Sequence, residues 1–489
     1  MLLKTEPEKS VILRLVILLV GIQFLCVGIV MATKLHWVAL LLIPLAGLIL
    51  WGWWLARQQS LSGTPPWPAD IPRLYPELDG VELCEFMSAQ RREEIKRFPI
   101  IYILPFVSED SSEKDACFGA GLQRMLIRNL MQVRNISVHG PEDTPVVFLG
   151  QARGLAESDE RSPVYVTGKA SYDADGYRLD LEIFRPGKPW AKGSVTADQL
   201  DSFLYKCAAT IAKAVGGQVD SSIVEKWKIA RPSSAESLTE LGRLRLMADE
   251  VPEEEKAAAL IRLFEKDPSF ALPAGEIDSD LPQARQWYLR ALERDPYDAQ
   301  TYFSLFCRVF EGGGWNPAAM QLARRGIELS PGHGKAHMCA PHAAHPDADM
   351  LGHSELGYLL LPGNTFAIRN YTINLTNAGA SHEQLMDLAK EGISADPFDP
   401  GNYAEVISLF YEANQFRAAL AVAKDLQTLF EPAMDERTLY CLKQSPVVAQ
   451  AMETGQYDPA EANRQLIAQL EAAVQQTGRS ARGIGNTHG

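Results

Sequence analysis

The chain has 489 residues and a formal net charge of −14, with 46% hydrophobic and 22% charged residues. This length accommodates two or three domains. The acidic balance argues against a nucleic-acid-binding protein, because no surplus of basic residues is present to neutralise phosphates. The seven cysteines are scattered without CxxC spacing, which favours isolated thiols in a reducing compartment over a disulfide framework.

Two apolar stretches lie near the N-terminus. Residues 11–32 contain one charge, Arg14, and residues 35–56 contain no Asp, Glu, Lys or Arg. As a helix rising about 1.5 Å per residue, each would be about 33 Å long, enough to cross a hydrocarbon core of about 30 Å. We therefore predict a transmembrane hairpin over residues 1–57, with residues 11–56 in the lipid bilayer. A cleaved signal peptide is the alternative for the first stretch.

Basic residues flank the predicted hairpin rather than its turn. Lys4, Lys9 and Arg14 precede or open the first span, Arg57 follows the second, and only Lys34 lies between them. Because cytoplasmic flanks carry the excess of Lys and Arg, we expect a multi-pass protein of the inner membrane with cytoplasmic soluble domains. The alternative is an envelope-facing sensor with the reversed topology.

Residues 58–97 are a Pro-rich linker and lead-in, typical of an extended spacer. An α/β pattern follows over residues 98–230. Strands are predicted at 99–107, 146–149, 164–170 and 177–184, and helices at 115–133 and 197–215. The segment Asp173-Ala-Asp-Gly176 predicts a hairpin turn, and Gly216-Gly217 a helix cap.

The segments Leu104-Pro105-Phe106 and Gly119-Ala-Gly-Leu122, followed by a strand hairpin and a long helix, resemble the TolB amino-terminal-like (FlgO-like) α/β domain. In bacterial proteins that domain often lies between a transmembrane segment and tetratricopeptide repeats. The family usually has an acidic residue just before the Gly-Leu pair, where this chain has Ala120. The family has no general catalytic site, so the resemblance implies no catalytic residue.

The C-terminal half contains an internal period. Five X-Pro steps each follow a helical stretch: Asp267-Pro268, Asp295-Pro296, Ser330-Pro331, Asp396-Pro397 and Glu431-Pro432. Their prolines are separated by 28, 35, 66 and 35 residues, close to one, one, two and one units of about 34 residues. We therefore predict helical repeats over 235–475, followed by a flexible tail at 476–489.

The residues around these prolines resemble the tetratricopeptide repeat over about 235–440. Ala291, Gly326 and Gly392 place a small residue five positions before a proline, where the family prefers alanine. Residues 402–414 and 416–430 predict a complete helix pair. Residues 341–376 fit the repeat poorly and include a β-like run at 367–375. The alternative is a nonrepetitive helical domain.

Five of the nine histidines fall between residues 333 and 353, near Cys339. Imidazole and thiolate are ligands for zinc or a similar metal, and we name His333, His337, His342 and His345 as candidate metal ligands. Their spacing matches neither HExxH nor paired CxxC. The alternative is a polar, Pro-rich loop that carries histidines without binding metal.

The sequence contains no P-loop, GxGxxG, GxSxG or HExxH motif, and Gly312-Gly-Gly314 is interpreted as an interhelical turn. We therefore expect an α+β protein with two transmembrane helices that is neither an enzyme nor a cofactor binder. It would be a scaffold or sensor that binds a protein partner in the repeat groove, with a metalloprotein as the alternative. The aromatic residues predicted to contact the partner are Tyr302, Phe306, Tyr403 and Phe410.

Overall fold

The computed structural model describes most of the chain after Phe86. The described residues are 87–107, 111–140, 163–185, 191–247, 251–310, 316–344, 350–431, 433–443, 448, 451–452 and 454–484. They belong to one compact unit that begins at Met87. The predicted spans at 11–32 and 35–56, the strand at 146–149 and the glycine turn at 312–314 lie outside these ranges.

No helix within the described ranges is long and apolar enough to cross a membrane. The longest, Pro459–Ile484, has 26 residues but carries charged residues along its length. This finding contradicts the predicted fold class with two transmembrane helices and the predicted multi-pass membrane localisation, and both are corrected here. The described part of the chain is α+β, with one five-stranded sheet and a long series of helices.

The α/β part contains one mixed sheet. Its elements are α1 (Ala89–Ile95), β1 (Ile100–Ile103), α2 (Glu113–Leu130), β2 (Ser137–His139), β3 (Val164–Asp173), β4 (Gly176–Phe184), β5 (Ala191–Ala197), α3 (Leu200–Ala214) and α4 (Ser221–Trp227). The strand order is β2-β1-β3-β4-β5, with β1 parallel to β2 and β3, and with the pairs β3–β4 and β4–β5 antiparallel. The first predicted strand, both predicted helices and the hairpin are confirmed, whereas β2 and β5 were not predicted.

Local chemistry explains the ends of these elements. In the β3–β4 turn the Asp175 N–H donates to the Asp173 carboxylate at 2.8 Å, and Gly176 has φ +122°, a conformation that favours glycine. Helix α3 ends at Ala214; two residues later Gly216 has a φ of +85°, and the Gly217 N–H donates to the Ala212 carbonyl at 2.7 Å. The predicted hairpin turn and helix cap are therefore confirmed.

The second part is a stack of helices, of which the first twelve each pack on their neighbours in sequence. The helices are α5 (Ala235–Leu246), α6 (Glu253–Lys266), α7 (Leu272–Gly275), α8 (Ala284–Arg294), α9 (Ala299–Val309), α10 (Pro317–Leu329), α11 (Gly334–Ala343), α12 (Leu351–Leu360), α13 (Thr365–Asn377), α14 (His382–Ala395), α15 (Pro400–Glu412), α16 (Phe416–Gln427), α17 (Glu436–Lys443) and α18 (Pro459–Ile484). We group α5 to α16 into six consecutive pairs, each with a first and a second helix. This is helical-repeat packing.

In each of the six pairs, the second helix is followed by an X-Pro step. The sequence analysis missed Leu361-Pro362, which follows α12 and divides the interval of 66 residues into 31 and 35. The β-like interpretation of 367–375 is wrong, because these residues lie in α13. Their β-branched hydroxyls fit a helix here, since Thr372 and Thr376 each donate to the carbonyl four residues earlier at 2.9 Å.

Glycines allow the two parts of the fold to touch backbone to backbone. A Cβ on Gly121 of α2 would lie 1.9 Å from the Leu238 carbonyl oxygen in α5, and one on Gly242 of α5 would lie 1.8 Å from the Cys117 carbonyl oxygen in α2. A Cβ on Gly119 would likewise lie 2.2 Å from the backbone oxygen of Phe106. The two glycines of the Gly119-Ala-Gly segment therefore allow α2 to pack closely on Phe106, which follows β1, and on α5.

A buried ion pair also joins the two parts. Arg128 of α2 donates two hydrogen bonds of 2.7 Å to the two carboxylate oxygens of Asp295, and both side chains are at most 2% exposed. Asp295 is the residue after α8, in one of the Asp-Pro steps that mark the repeats. The Ser137 hydroxyl of β2 donates to the Gly332 carbonyl at 2.6 Å, just before α11. Two interhelical turns of the stack, at Asp295 and at Gly332, thus bind side chains of the α/β part.

Candidate partner-binding face and histidine cluster

The α/β part lies against the beginning of the helical stack. Helix α2 packs along α5, and Arg124 of α2 forms an ion pair with Glu276, which follows α7. Further along, Ser137 contacts the turn before α11, and Ile95 of α1 packs with residues of α12. These contacts involve pairs one to four, and pairs five and six follow them in the stack.

Helix α13, the first helix of pair five, exposes two large apolar side chains. Phe366 is 54% exposed and Ile373 is 53% exposed. They are seven residues apart and therefore lie on one side of the helix. Ala367, Ile368 and Thr372 face the core instead. The exposed side of α13 thus carries two large apolar side chains at positions where a monomeric protein would usually place polar residues.

Arg369 connects this side of α13 to α15, the first helix of pair six. Its guanidinium lies 5.0 Å from the centre of the Phe366 ring and donates to the Asp399 carboxylate at 2.6 Å. Burial raises the pKa of Glu405 on α15, and the charge of Arg369 partly offsets that effect. We call Phe366, Arg369, Ile373, Glu405 and the exposed Ser408 the α13–α15 face.

The four aromatic residues predicted to contact a partner lie elsewhere in the packing. Tyr302 is 1% exposed and Phe306 is 2% exposed, so neither presents a ring to a partner in this structure. Tyr403 and Phe410 are half-buried and pack against the core formed largely by α16. The Tyr403 hydroxyl donates to the Pro397 carbonyl at 3.0 Å, which fixes that ring against the turn.

Sequence reasoning missed Phe366 and Ile373 because it interpreted their surroundings as a strand. The signals for a helix were present. Asn364 caps α13 by accepting from the Ala367 N–H at 3.0 Å, and Pro362 precedes it as in the other pairs. With the helix recognised, a spacing of seven would have placed the two apolar residues on one side.

The structure separates the four predicted metal ligands. His333 is buried at the start of α11, where its ring accepts from the Ala336 N–H at 3.4 Å. His337 is buried in the middle of α11, His342 is exposed, and His345 lies outside the described residues. Among the described residues, no three His, Cys, Asp or Glu side chains come together in a group that could hold a metal ion.

His337 forms a buried pair with His353 of α12, a residue outside the predicted ligand set. Their Nδ1 atoms are 2.9 Å apart, and Nε2 of His337 lies 3.0 Å from the Pro331 carbonyl oxygen. Because a carbonyl only accepts, Nε2 of His337 carries a proton, and its Nδ1 then accepts from His353. The two rings thus form a chain of hydrogen bonds that runs from α12 through α11 to the turn at Pro331.

Burial sets the charge state of this pair. It lowers the pKa of His337 to about 4, although the bond to Pro331 acts in the opposite direction. Burial also lowers the pKa of His353 well below its ordinary value, and the charges of His337 and Arg92 add to that effect. Both rings are therefore neutral near pH 7 and serve the packing of α11 on α12.

The comparisons with known proteins add no family to this description. The chain matches no family model, and no curated protein matches it in sequence. The arguments about function therefore depend on the geometry of the described residues.

Proposed function

We propose that the protein is a non-enzymatic binding protein, a scaffold or sensor that holds a protein partner on the α13–α15 face. The observation that carries the proposal is the exposure of Phe366 and Ile373 two turns apart on one side of α13. Fully burying such a side chain contributes about 1.5–3 kcal/mol, so covering the exposed half of each would contribute about 1 kcal/mol. A partner's apolar side chains would supply that cover.

The charges on this face indicate what would flank the apolar contact. The guanidinium of Arg369 lies over the Phe366 ring and donates a hydrogen bond to Asp399. Its positive charge also acts on Glu405. A segment with one or two large apolar residues beside polar or charged ones would match it, since charged rims steer and orient a complex. We therefore propose a short protein segment as the ligand.

We further propose that the six pairs are tetratricopeptide-like. Two features support this proposal: the regular X-Pro steps and the small residues five positions before the prolines. A Cβ on Gly326 of α10 would contact the Ala299 oxygen at 3.6 Å, and one on Gly392 of α14 would contact the Asn402 side chain at 3.4 Å. In both pairs the small residue thus lies where the second helix meets a first helix.

Site-specific photocrosslinking tests the partner proposal. The photoreactive residue p-benzoylphenylalanine would be placed at Phe366 or Ile373 in the full-length chain in its native cells. The matched control is the same residue at Ala421, an exposed position on α16, the second helix of pair six. We expect one protein to crosslink at the two positions of α13 and not at Ala421, and mass spectrometry would identify it.

Binding to that purified protein provides the quantitative test. The double change Phe366→Ala with Ile373→Ala should weaken binding about tenfold or more, because it removes the two apolar anchors. Leu246→Ala is the matched control, since Leu246 is 50% exposed but lies on α5. Equal crosslinking at Ala421, or unchanged affinity of the double variant, would contradict the proposal.

A further inference from the structure

One carboxylate on the α13–α15 face has no partner among the described residues. Glu405 of α15 is half-buried, and no described residue forms a hydrogen bond or an ion pair with it. Burial raises its pKa, and the charge of Arg369 acts in the opposite direction. Arg369 is itself engaged, because it donates to the Asp399 carboxylate at 2.6 Å. A further cation beside Glu405 would stabilise its ionised form.

Helix geometry places Glu405 near Ile373. Four residues join α13 to α14, and four more join α14 to α15. Helices joined by such short connections run antiparallel, so α13 and α15 run in the same direction. A Cβ on Gly401 would lie 2.6 Å from Nη1 of Arg369, which places that guanidinium at the first turn of α15. Ile373 follows Arg369 by about one turn and Glu405 follows Gly401 by about one turn, so both lie on the same stretch of the face.

The other charges around the start of α15 are neutralised in pairs. Arg369 pairs with Asp399, and Arg437 of α17 pairs with Asp396, each at 2.6 Å. Among the described residues of this stretch, Glu405 is thus the half-buried charge without a counterion at salt-bridge distance. The whole chain also has a net charge of −14. Both features favour a basic ligand and disfavour a second copy of this acidic chain.

We propose that the partner segment on the α13–α15 face carries a lysine or arginine that pairs with Glu405, next to an apolar residue that covers Ile373. The ammonium or guanidinium would donate to the Glu405 carboxylate, and such charge-assisted hydrogen bonds are stronger than neutral ones. The apolar residue would exclude water from the same stretch. This pairing rests on the proposed function and adds to it the sign and the place of the partner's charge.

Panning a phage library of random peptides on the purified full-length chain tests this preference. We expect enriched peptides to carry Lys or Arg within a few positions of a large apolar residue, and to lose binding to the chain with Phe366→Ala and Ile373→Ala. Panning on Glu405→Lys should enrich Asp or Glu in place of the basic residue. Glu254→Lys is the matched control, since Glu254 is an exposed glutamate on α6 in pair one, and it should select the wild-type peptides.

The affinity of one enriched peptide, measured by fluorescence anisotropy, gives the magnitude. Glu405→Gln should weaken binding about tenfold, because a hydrogen bond between charged groups is lost. Replacing the peptide's basic residue by alanine should then cost little more, since the two changes remove the same contact. Glu405→Gln keeps the side-chain size and removes a half-buried charge, so the unfolding midpoint should not fall. Weaker binding would therefore not reflect a lost fold.

The results separate this inference from the proposed function. Peptides that need Phe366 and Ile373 but lack a basic residue, or that bind Glu405→Gln as tightly as the wild-type chain, would overturn the pairing and leave the proposed function standing. No enriched peptide, or equal binding to the chain with both alanine changes, would overturn both. Sedimentation velocity supplies the last outcome, since a dimer that those alanine changes dissociate would assign the face to a second copy and overturn the partner segment.

Discussion

Replacing Arg128 by methionine tests whether the Asp-Pro turn of pair two holds the α/β part. The change keeps the length of the side chain but removes the guanidinium that makes two bonds of 2.7 Å to Asp295. That guanidinium also donates to the Asn129 side chain at 2.9 Å and the Lys226 carbonyl at 3.2 Å. Asp295, whose side chain is 2% exposed, would be left as an uncompensated buried charge.

The expected cost is large because the pair is fully buried. Removing one partner of such a pair typically destabilises a protein by about 3–5 kcal/mol. Urea unfolding followed by circular dichroism measures this as a lower midpoint. Adding Asp295→Asn to Arg128→Met should recover part of the loss, since no charge then stays buried.

Arg178→Met is the matched control. Arg178 pairs with Asp180 at 2.9 Å, but the two side chains are 60% and 45% exposed, so solvent screens the pair. We expect its unfolding midpoint to equal that of the wild-type chain. If Arg128→Met shifts the midpoint no further than Arg178→Met, the buried pair is not what joins the two parts.

Three further predictions follow from single features of the structure. Gly121→Ala should lower the unfolding midpoint strongly, because its Cβ would meet backbone at 1.9 Å, whereas Gly193→Ala, with open space around it, should not. Stability should fall as the pH drops from about 6.5 towards 4, by up to about 3 kcal/mol, because the unfolded chain then binds a proton that native His337, with its pKa lowered to about 4, does not. His337→Gln should make that pH profile shallower in urea unfolding, although His353, whose pKa is also lowered, still contributes to it. An unchanged profile would refute the account. Phe366→Ala should change the thermal midpoint little, because the ring is 54% exposed, and a large decrease would assign it to the core.

Local sequence signals predicted the elements whose chemistry is local. The Asp173–Gly176 hairpin and the cap at Gly216 depend on turn residues within a few positions, and the X-Pro steps end helices by removing a donor. Helix α13 was mistaken for a strand because its threonines and isoleucines have high β propensity, which repeat packing overrides.

Contacts between distant segments could not be predicted from spacing. Nothing near Arg128 in the sequence indicates Asp295, and the His337–His353 pair joins two helices separated by residues outside the described ranges. The histidine cluster therefore resembled a ligand set although its members face different surroundings. Tyr302 and Phe306 were chosen as exposed rings, but the spacing of aromatic residues on a helix does not distinguish its core side from its open side.

Hydrogen–deuterium exchange of the full-length chain, with and without its crosslinked partner, tests the central claim most directly. That claim is that the partner lies on the α13–α15 face, while the α/β part stays on the earlier pairs. It predicts slower exchange in residues 365–377 and 400–412 on binding, with residues 299–309 unchanged. Protection of residues 299–309 together with faster exchange in α2 would contradict it, because the partner would then displace the α/β part from the first helices.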